Sequence, residues 1–139
     1  MAVVDSDPAR LDMDVIHGFL TASYWSPGIS RELVERAVRN SLCFGVYEGE
    51  RQVGFARVVT DQATFAYLAD VFVLESHRGQ GLSKALMSAI VADPRLRGLR
   101  RWLLATRDAH KLYERYGFTP LAKPQRFMEL HNPDVYAVR

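Results

Sequence analysis

Gly79 and Gly81 stand where a run of β-branched and aromatic residues changes to a helical pattern. Glycine has no Cβ, so the backbone at these positions can approach a ligand closely and adopt a positive φ. A helix that begins directly after such a turn presents unpaired N–H groups at the positive end of its dipole. These groups suit a diphosphate, and Arg78 adds a nearby positive charge. The spacing therefore predicts an anion-binding turn, although the same string also occurs in plain tight turns.

Two other nucleotide-binding motifs do not fit this turn. The nucleoside-triphosphate loop requires Gly-x-x-x-x-Gly-Lys-Ser/Thr, and no such string occurs. The dinucleotide fingerprint requires a third glycine, where this chain has Lys84, and an acidic residue at the end of the next strand. That strand ends in Ala105-Thr106. Neither class of nucleotide is therefore predicted as the ligand.

The elements that must position this turn follow from apolar periodicity. A helix over 82–92 connects two apolar strands, so those strands are expected to be parallel neighbours inside an otherwise antiparallel sheet. Other helices are predicted to begin at Asp12 or Asp14, at Ser30, and over 108–116. The strands are predicted over 43–47, 53–59, 64–74, 101–105, 118–121 and 126–130. The expected fold is one α/β domain over 1–139, with a mixed, mostly antiparallel sheet and flanking helices.

Composition agrees with one folded domain. The chain has 139 residues, of which 48% are hydrophobic and 24% charged, close to the globular average. It contains no apolar stretch near the roughly 20 residues that cross a bilayer. The first residues lack the pattern of a secretory signal, which favours a cytoplasmic location. Cys43 lies in an apolar run and is expected to be a buried structural thiol.

Charge is distributed unevenly along the chain. Residues 1–76 carry 6 Lys/Arg and 11 Asp/Glu, a net −5, whereas residues 77–139 carry 12 and 5, a net +7. If the two halves meet at one cleft, an anionic ligand should bind the second half and a cationic one the first. The alternative is that these charges belong to solvated faces.

Two segments carry a family resemblance. The string Arg78-Gly79-Gln80-Gly81-Leu82-Ser83 resembles the acyl-CoA signature of the GNAT N-acetyltransferase superfamily, Arg/Gln-x-x-Gly-x-Gly/Ala, with Ser83 in place of Gly/Ala. The segment 109–118 is similar to the family's Ala-x-x-Leu-Tyr-x-x-x-Gly-Phe block. Three residues before that alanine the family often has Asn, and this chain has Thr106. The resemblance covers roughly residues 43 to 121.

The resemblance implies an N-acetyltransferase with acetyl-CoA as co-substrate and a primary amine that attacks directly in a ternary complex. It also implies that the two parallel strands splay apart, so that backbone N–H groups of 71–73 hold the pantetheine arm and polarise the thioester. Residues expected to bind acetyl-CoA are Val71, Phe72, Val73, Arg78, Gly79, Gln80, Gly81, Leu82, Ser83, Lys84 and, at the asparagine position, Thr106.

Tyr113 matches the tyrosine that serves in many relatives as the general acid for the CoA thiolate. Asp70 is the candidate general base, although an isolated aspartate in a strand is also typical of a salt-bridge or turn partner. The acceptor pocket is expected at Tyr24 and Trp25, which could equally form a plug between two helices.

Alternatives remain open at this point. A non-catalytic acyl-CoA-binding module of the same fold is the main one, because Thr106 departs from the family pattern and no base is matched. Nucleic-acid binding by Arg95, Arg97, Arg100 and Arg101 is disfavoured because no stacking aromatics are interleaved with them. No metal is expected, since His17, His110 and His131 lack ligand-spaced partners. A homodimer is left open.

Overall fold

The computed structural model describes residues 1–137 and contains one five-stranded sheet. Its strands lie side by side in chain order, and each neighbouring pair is antiparallel except the last, which is parallel. This mixed α/β architecture confirms the predicted fold. The strands are β1 (Ala2–Asp5), β2 (Leu42–Glu48), β3 (Arg51–Thr60), β4 (Phe65–Val73) and β5 (Arg101–Leu104). The helices are α1 (Met13–Thr21), α2 (Arg31–Arg39), α3 (Leu82–Ala92) and α4 (His110–Glu114).

Short polar side chains set where the first two helices begin. The Asp12 carboxylate accepts the N–H groups of Asp14 and Val15 at the start of α1. The Ser30 hydroxyl accepts the N–H of Leu33 at the start of α2. Such N-caps satisfy donors that have no partner inside the helix. Of the two predicted starts of α1, Asp12 is therefore the one that the structure uses.

The fourth helix is shorter than predicted. It spans only His110–Glu114, because Thr106 Oγ1 accepts the Ala109 N–H and holds the preceding residues in a turn. At its end Gly117 has φ 92°, and the Phe118 N–H donates to the Tyr113 carbonyl oxygen. Glycine at such a position closes a helix without steric cost. Gly117 therefore ends α4.

Two apolar clusters lie on opposite faces of the sheet. Leu86 and Ile90 of α3 pack with Phe44 on one face. Ile16 of α1 packs with Cys43 on the other. Adjacent strand residues such as Cys43 and Phe44 point to opposite faces, which is why they belong to different clusters. Cys43 is buried and unpaired, as predicted.

A β-bulge interrupts β4 at Asp70. The register with β3 pairs Arg57 with Ala69 but Phe55 with Phe72, so β4 has one extra residue there. Asp70 adopts φ 55°, a left-handed conformation that aspartate tolerates better than most residues. In a regular strand Tyr67, Ala69 and Val71 would lie on one face. The extra residue shifts this alternation, so Val71 packs against the α3 cluster instead.

The parallel pair separates along its length. Pairing between β4 and β5 runs from Phe65 with Arg101 to Leu68 with Leu104. Beyond Leu68, residues 69–73 of β4 have no β5 partner, as the predicted splayed pair requires. The Leu74 N–H donates to Val53 of β3, so β4 stays attached on its other side.

Two predictions about strands are wrong. Residues 118–121 and 126–130 form no strand, and β1, which pairs with β2, was missed. Residues 119–137, here termed the arm, contain one short helical turn, Pro124–Arg126, and are otherwise irregular. The arm passes the start of β5, where the Arg101 guanidinium lies 4.9 Å from the centre of the Phe127 ring. It reaches the α1–α2 loop, where a Cβ at Gly28 would lie 2.9 Å from the Tyr136 carbonyl oxygen.

No helix among residues 1–137 combines the length and the apolar character that a bilayer-spanning helix needs.

Candidate active site

The glycine turn has the geometry that an anion requires. Gly79 and Gly81 have φ 79° and 75°, values that side-chain-bearing residues rarely adopt. A Cβ at either glycine would meet no atom within 4 Å, so the space in front of the turn is open. Gly81 is the N-cap of α3, and no side chain in the described part of the chain caps that end. The first N–H groups of α3 therefore point out of the helix without an intrahelical acceptor, and they fit a diphosphate.

Side chains next to the turn fasten it to the sheet. Arg78 Nε donates to the Val73 carbonyl oxygen at 3.2 Å, which ties the turn to the end of β4. His77 is buried, with its Nδ1 2.7 Å from the Ser76 hydroxyl and its Nε2 3.4 Å from the Glu48 carboxylate. These contacts hold the turn beside the unpaired half of β4. The glycine turn and the unpaired half of β4, which the sequence predicted separately, are therefore neighbours.

Tyr113 lies at the meeting point of two cavities. Its side chain is 8% exposed and lines both a groove beside β5 and a second cavity next to the α1–α2 loop. Burial, with a smaller contribution from Tyr24, raises the pKa of the Tyr113 phenol above its ordinary value. The phenol therefore stays protonated at neutral pH and can donate its proton. Thr106 lines the same two cavities, with its hydroxyl oxygen occupied by the Ala109 N–H.

The second cavity, the candidate acceptor pocket, measures about 1130 Å³. Tyr24 and Trp25 line it and are 52% and 40% exposed, so they are wall residues rather than a plug between helices. Their rings meet edge to face at 5.1 Å. The Arg107 guanidinium lies 3.8 Å from the centre of the Tyr24 ring and covers it. The arm contributes Glu129, His131, Pro133 and Tyr136 to the same walls.

Asp70 holds the wall of this pocket to the sheet. Its Oδ1 accepts the Trp25 indole N–H at 2.8 Å, and its Oδ2 accepts Arg57 Nε at 2.7 Å. Arg57 also donates to the Ser41 hydroxyl at 3.2 Å. The Asp70 and Arg57 side chains are only 14% and 20% exposed, so this pair is shielded from water. The sequence left two roles open for Asp70, a general base and a salt-bridge partner. The structure shows the salt bridge, which Asp70 forms with Arg57.

Sequence reasoning missed three contributors to the pocket: Arg57, Arg107 and the arm. Arg57 could have been identified from the sequence, because it is the single charged residue between Gln52 and Val59 and a charge in an apolar strand needs a partner. Arg107 and the arm could not have been identified in this way, because their approach to the pocket depends on tertiary packing. Within residues 1–137 there is also no group of three or more His, Cys, Asp or Glu side chains placed to hold a metal ion.

A family model described as the acetyltransferase (GNAT) domain matches residues 39–120. The chain belongs to the GNAT family of acetyltransferases. The match includes β2 to β5, the glycine turn and α4, but not the α1–α2 loop or most of the arm, which complete the second cavity. Membership of this family supports acetyl transfer as the activity, and members of the family use acetyl-CoA.

Individual relatives agree with this assignment. A Xanthomonas campestris pv. campestris protein assigned to the GNAT family is 53% identical, with a TM-score of 0.97 over 99% of this chain and 98% of that one. A Gibberella zeae protein that carries an acetyltransferase name is 31% identical over 80% of this chain and 75% of its own length. A Clostridium acetobutylicum protein crystallised with acetyl-CoA has 14% identity and a TM-score of 0.69, over 95% of this chain and 96% of that one. The last likeness concerns the fold alone.

Proposed function

We propose that this GNAT protein transfers an acetyl group from acetyl-CoA to a primary amine of a small molecule or a peptide, by direct attack in a ternary complex. The proposal rests on one observation, which is that three features lie next to one another. An uncapped helix start behind two positive-φ glycines adjoins the unpaired half of β4, and a buried tyrosine lies where two cavities meet. These three features supply an anion site, backbone donors and a proton donor.

The co-substrate would be held mainly by backbone groups. The N–H groups of 81–84 would bind the diphosphate, with Arg78 and Lys84 contributing charge. Residues 71–73 have no β5 partner, and the N–H groups among them that point away from β3 would hold the pantetheine amide and the thioester oxygen. Thr106 would replace the family's asparagine at the end of β5. Backbone donors of this kind are already ordered before the ligand arrives, so little entropy is lost on binding.

Acetyl-CoA supplies a thioester carbonyl, which a neutral amine attacks with formation of the C–N bond and release of the CoA thiolate. Tyr113 would donate its hydroxyl proton to that sulfur, because its raised pKa keeps the phenol protonated. The amine nitrogen loses its proton to water and Tyr113 regains a proton from water, so the proton that the sulfur gains is balanced. Asp70 is the candidate base from the sequence, but both of its oxygens accept hydrogen bonds from Trp25 and Arg57. We therefore propose that Asp70 positions the pocket wall and that water removes the amine proton.

The acceptor would enter between the exposed rings of Tyr24 and Trp25. Residues 1–76, which include this wall, carry a net −5, which favours a cationic amine over an anionic one. A cytoplasmic location and the absence of nucleic-acid binding stay predictions from the sequence.

The test measures CoA thiol release from acetyl-CoA with a panel of small primary amines and amine-bearing peptides. Amine-dependent release, with the acetylated amine identified by mass spectrometry, would support the proposal. Isothermal titration with CoA provides a separate readout of binding. Binding without turnover across the panel would favour the non-catalytic module, and absence of binding would contradict the assigned anion site.

A further inference from the structure

Glu129 of the arm lies where the two cavities meet. The candidate acceptor pocket and the groove beside β5, which measures about 1700 Å³, have several lining residues in common. The shared residues are Tyr67, Leu104, Ala105, Thr106, Tyr113 and Glu129. Within residues 1–137, Glu129 is therefore the one carboxylate that borders both cavities. The other carboxylates line one cavity each, Asp70 and Asp108 the pocket and Glu114 the groove.

The course of the arm turns Glu129 toward this junction. The arm enters the stretch with extended dihedrals at Phe127, φ −100° and ψ 137°. In an extended chain the residues at 127, 129 and 131 share one face. Phe127 and His131 each line a cavity, whereas Met128 and Leu130 are 98% and 104% exposed. Glu129 lies between two residues that face the molecule, and it faces the molecule with them.

No cation of the protein occupies the Glu129 carboxylate. It forms no ion pair with a Lys, Arg or His side chain in the part of the chain that the structure describes. The arginines that line the candidate acceptor pocket contact other side chains instead, and they are Arg36, Arg57 and Arg107. Asp70 differs from Glu129, because both of its oxygens accept hydrogen bonds. Glu129 is therefore available to a ligand, and an ionised carboxylate accepts N–H groups of amines strongly.

We propose that Glu129 is a catalytic residue that holds the nitrogen of the acceptor amine, an inference that rests on the proposed function. Its carboxylate accepts an N–H of the amine at the junction that Tyr113 also lines. As the C–N bond forms and the C–S bond breaks, positive charge develops on this nitrogen, and the carboxylate stabilises that charge. The nitrogen then loses a proton to water and Tyr113 protonates the sulfur, so Glu129 stays ionised throughout.

Two CoA thioethers test this contact without turnover. S-aminopropyl-CoA carries an ammonium group where S-butyl-CoA carries a methyl group, so the two ligands have nearly the same shape. Isothermal titration gives the affinity of each ligand for wild type and for Glu129→Gln. The ratio of the affinity for the ammonium ligand to that for the butyl ligand should fall by roughly tenfold in the variant, because a charge-assisted hydrogen bond is lost. A structural defect would weaken both ligands alike and leave the ratio unchanged.

Asp134→Asn is the matched control. Asp134 lies in the same arm and lines neither cavity, and its substitution removes the same amount of charge. The affinity ratio should therefore stay within roughly threefold of wild type. Both Glu129 and Asp134 are exposed, so both variants should keep the far-UV circular dichroism spectrum and the melting temperature.

Steady-state kinetics adds a second readout. In the thiol-release assay, Glu129→Gln should lower kcat/KM for the amine by roughly 10- to 100-fold and leave the KM for acetyl-CoA within roughly threefold. Asp134→Asn should leave both within roughly threefold. A loss in Glu129→Gln that appears only in the KM for acetyl-CoA would overturn the inference.

The ligand titrations separate this inference from the proposed function. If both thioethers bind and the affinity ratio is unchanged in Glu129→Gln, or falls equally in Asp134→Asn, the role of Glu129 is wrong and the proposed function stands. If neither thioether binds to wild type, the proposed function and the role of Glu129 are both wrong.

Discussion

At the scale of single residues, Asp70 shows how backbone geometry decides a side chain's role. By simple alternation it would lie on the α3 face with Ala66 and Leu68, but the bulge turns it toward Arg57 and Trp25. It thereby joins the α1–α2 loop to the sheet at the wall of the candidate acceptor pocket. A buried pair of this kind contributes more to positioning than to stability, because desolvation offsets much of its attraction.

Asp70→Asn separates positioning from base catalysis. Asparagine tolerates the left-handed backbone and keeps an oxygen for the Trp25 N–H, but it cannot form the ion pair with Arg57. We predict that KM for the amine rises several-fold while kcat stays within roughly threefold, as expected for a lost binding interaction. Steady-state kinetics with varied amine measures this. A fall in kcat of roughly 100-fold or more would instead identify Asp70 as the base.

Tyr113→Phe removes the proposed proton donor with little change in shape. We predict a fall in kcat of roughly 100-fold, with a nearly unchanged KM for acetyl-CoA, because general acid catalysis acts in the transition state. Tyr116→Phe is the control, since that hydroxyl bonds the Lys84 carbonyl oxygen and should affect stability by about 1 kcal/mol rather than turnover.

The pH profile gives a second check on Tyr113. Because burial raises the pKa of Tyr113, its deprotonation should limit kcat only above the ordinary tyrosine value of about 10. An alkaline loss of kcat that persists in Tyr113→Phe would argue against the role of this residue.

At the scale of elements, the glycine turn and α3 act as one unit. The helix starts without a side-chain cap, and the glycine that precedes it has a positive φ. An uncapped start sacrifices stability in the absence of ligand, which is reasonable where an anion completes the hydrogen bonding.

Gly81→Ala and Gly49→Ala form a matched pair. Both glycines have a positive φ, 75° and 61°, and a Cβ at either would meet no atom within 4 Å. Each substitution should therefore lower the free energy of unfolding by about 1 to 2 kcal/mol through backbone strain alone. Only Gly81→Ala should also weaken CoA binding, by roughly tenfold or more, since it alone lies at the proposed anion site. Chemical denaturation and isothermal titration measure the two effects, and equal losses of CoA affinity in both variants would contradict this assignment.

At the scale of the whole molecule, the two halves of the chain build different parts of one site. The proposed acceptor wall includes α2 and the α1–α2 loop, and the proposed anion-binding turn begins at the boundary where the charge balance becomes positive. Beneath them, the cluster under α1 and α2 buries Cys43, and Tyr47 is buried nearby in β2. These two acidic groups connect the stability of the fold to pH.

Burial raises the pKa of Cys43 from 9.0 to about 12 and that of Tyr47 from 10.0 to about 12. The folded state therefore retains protons that the unfolded state releases, so their contribution is complete below about 9 and declines as the pH rises toward 12. We predict that the free energy of unfolding falls over this interval. Cys43→Ala should reduce the slope of that fall, whatever its effect on absolute stability. Urea denaturation at several pH values measures the slope, and an unchanged slope in Cys43→Ala would rule out the thiol as its source.

Local patterns predicted most of the elements. The helix over 82–92, the caps at Asp12 and Ser30 and the parallel strand pair depend on periodicity and short-range hydrogen bonds, which neighbouring residues determine. The segments 118–121 and 126–130 have strand-like composition but form no strand, because a strand needs a partner at the correct distance as well as suitable residues.

By itself, the sequence determined the order of the elements from α1 to α4, the glycine turn and the family to which the chain belongs, since all three are encoded in residue types and their spacing. Tertiary structure alone decided that Asp70 contacts Trp25 and Arg57, that Arg107 covers Tyr24, and that the arm lines both cavities. Each of these contacts joins residues far apart in the chain. Such contacts are set by the bulge in β4, the separation of β4 from β5 and the course of the arm, which depend on how all the elements pack together.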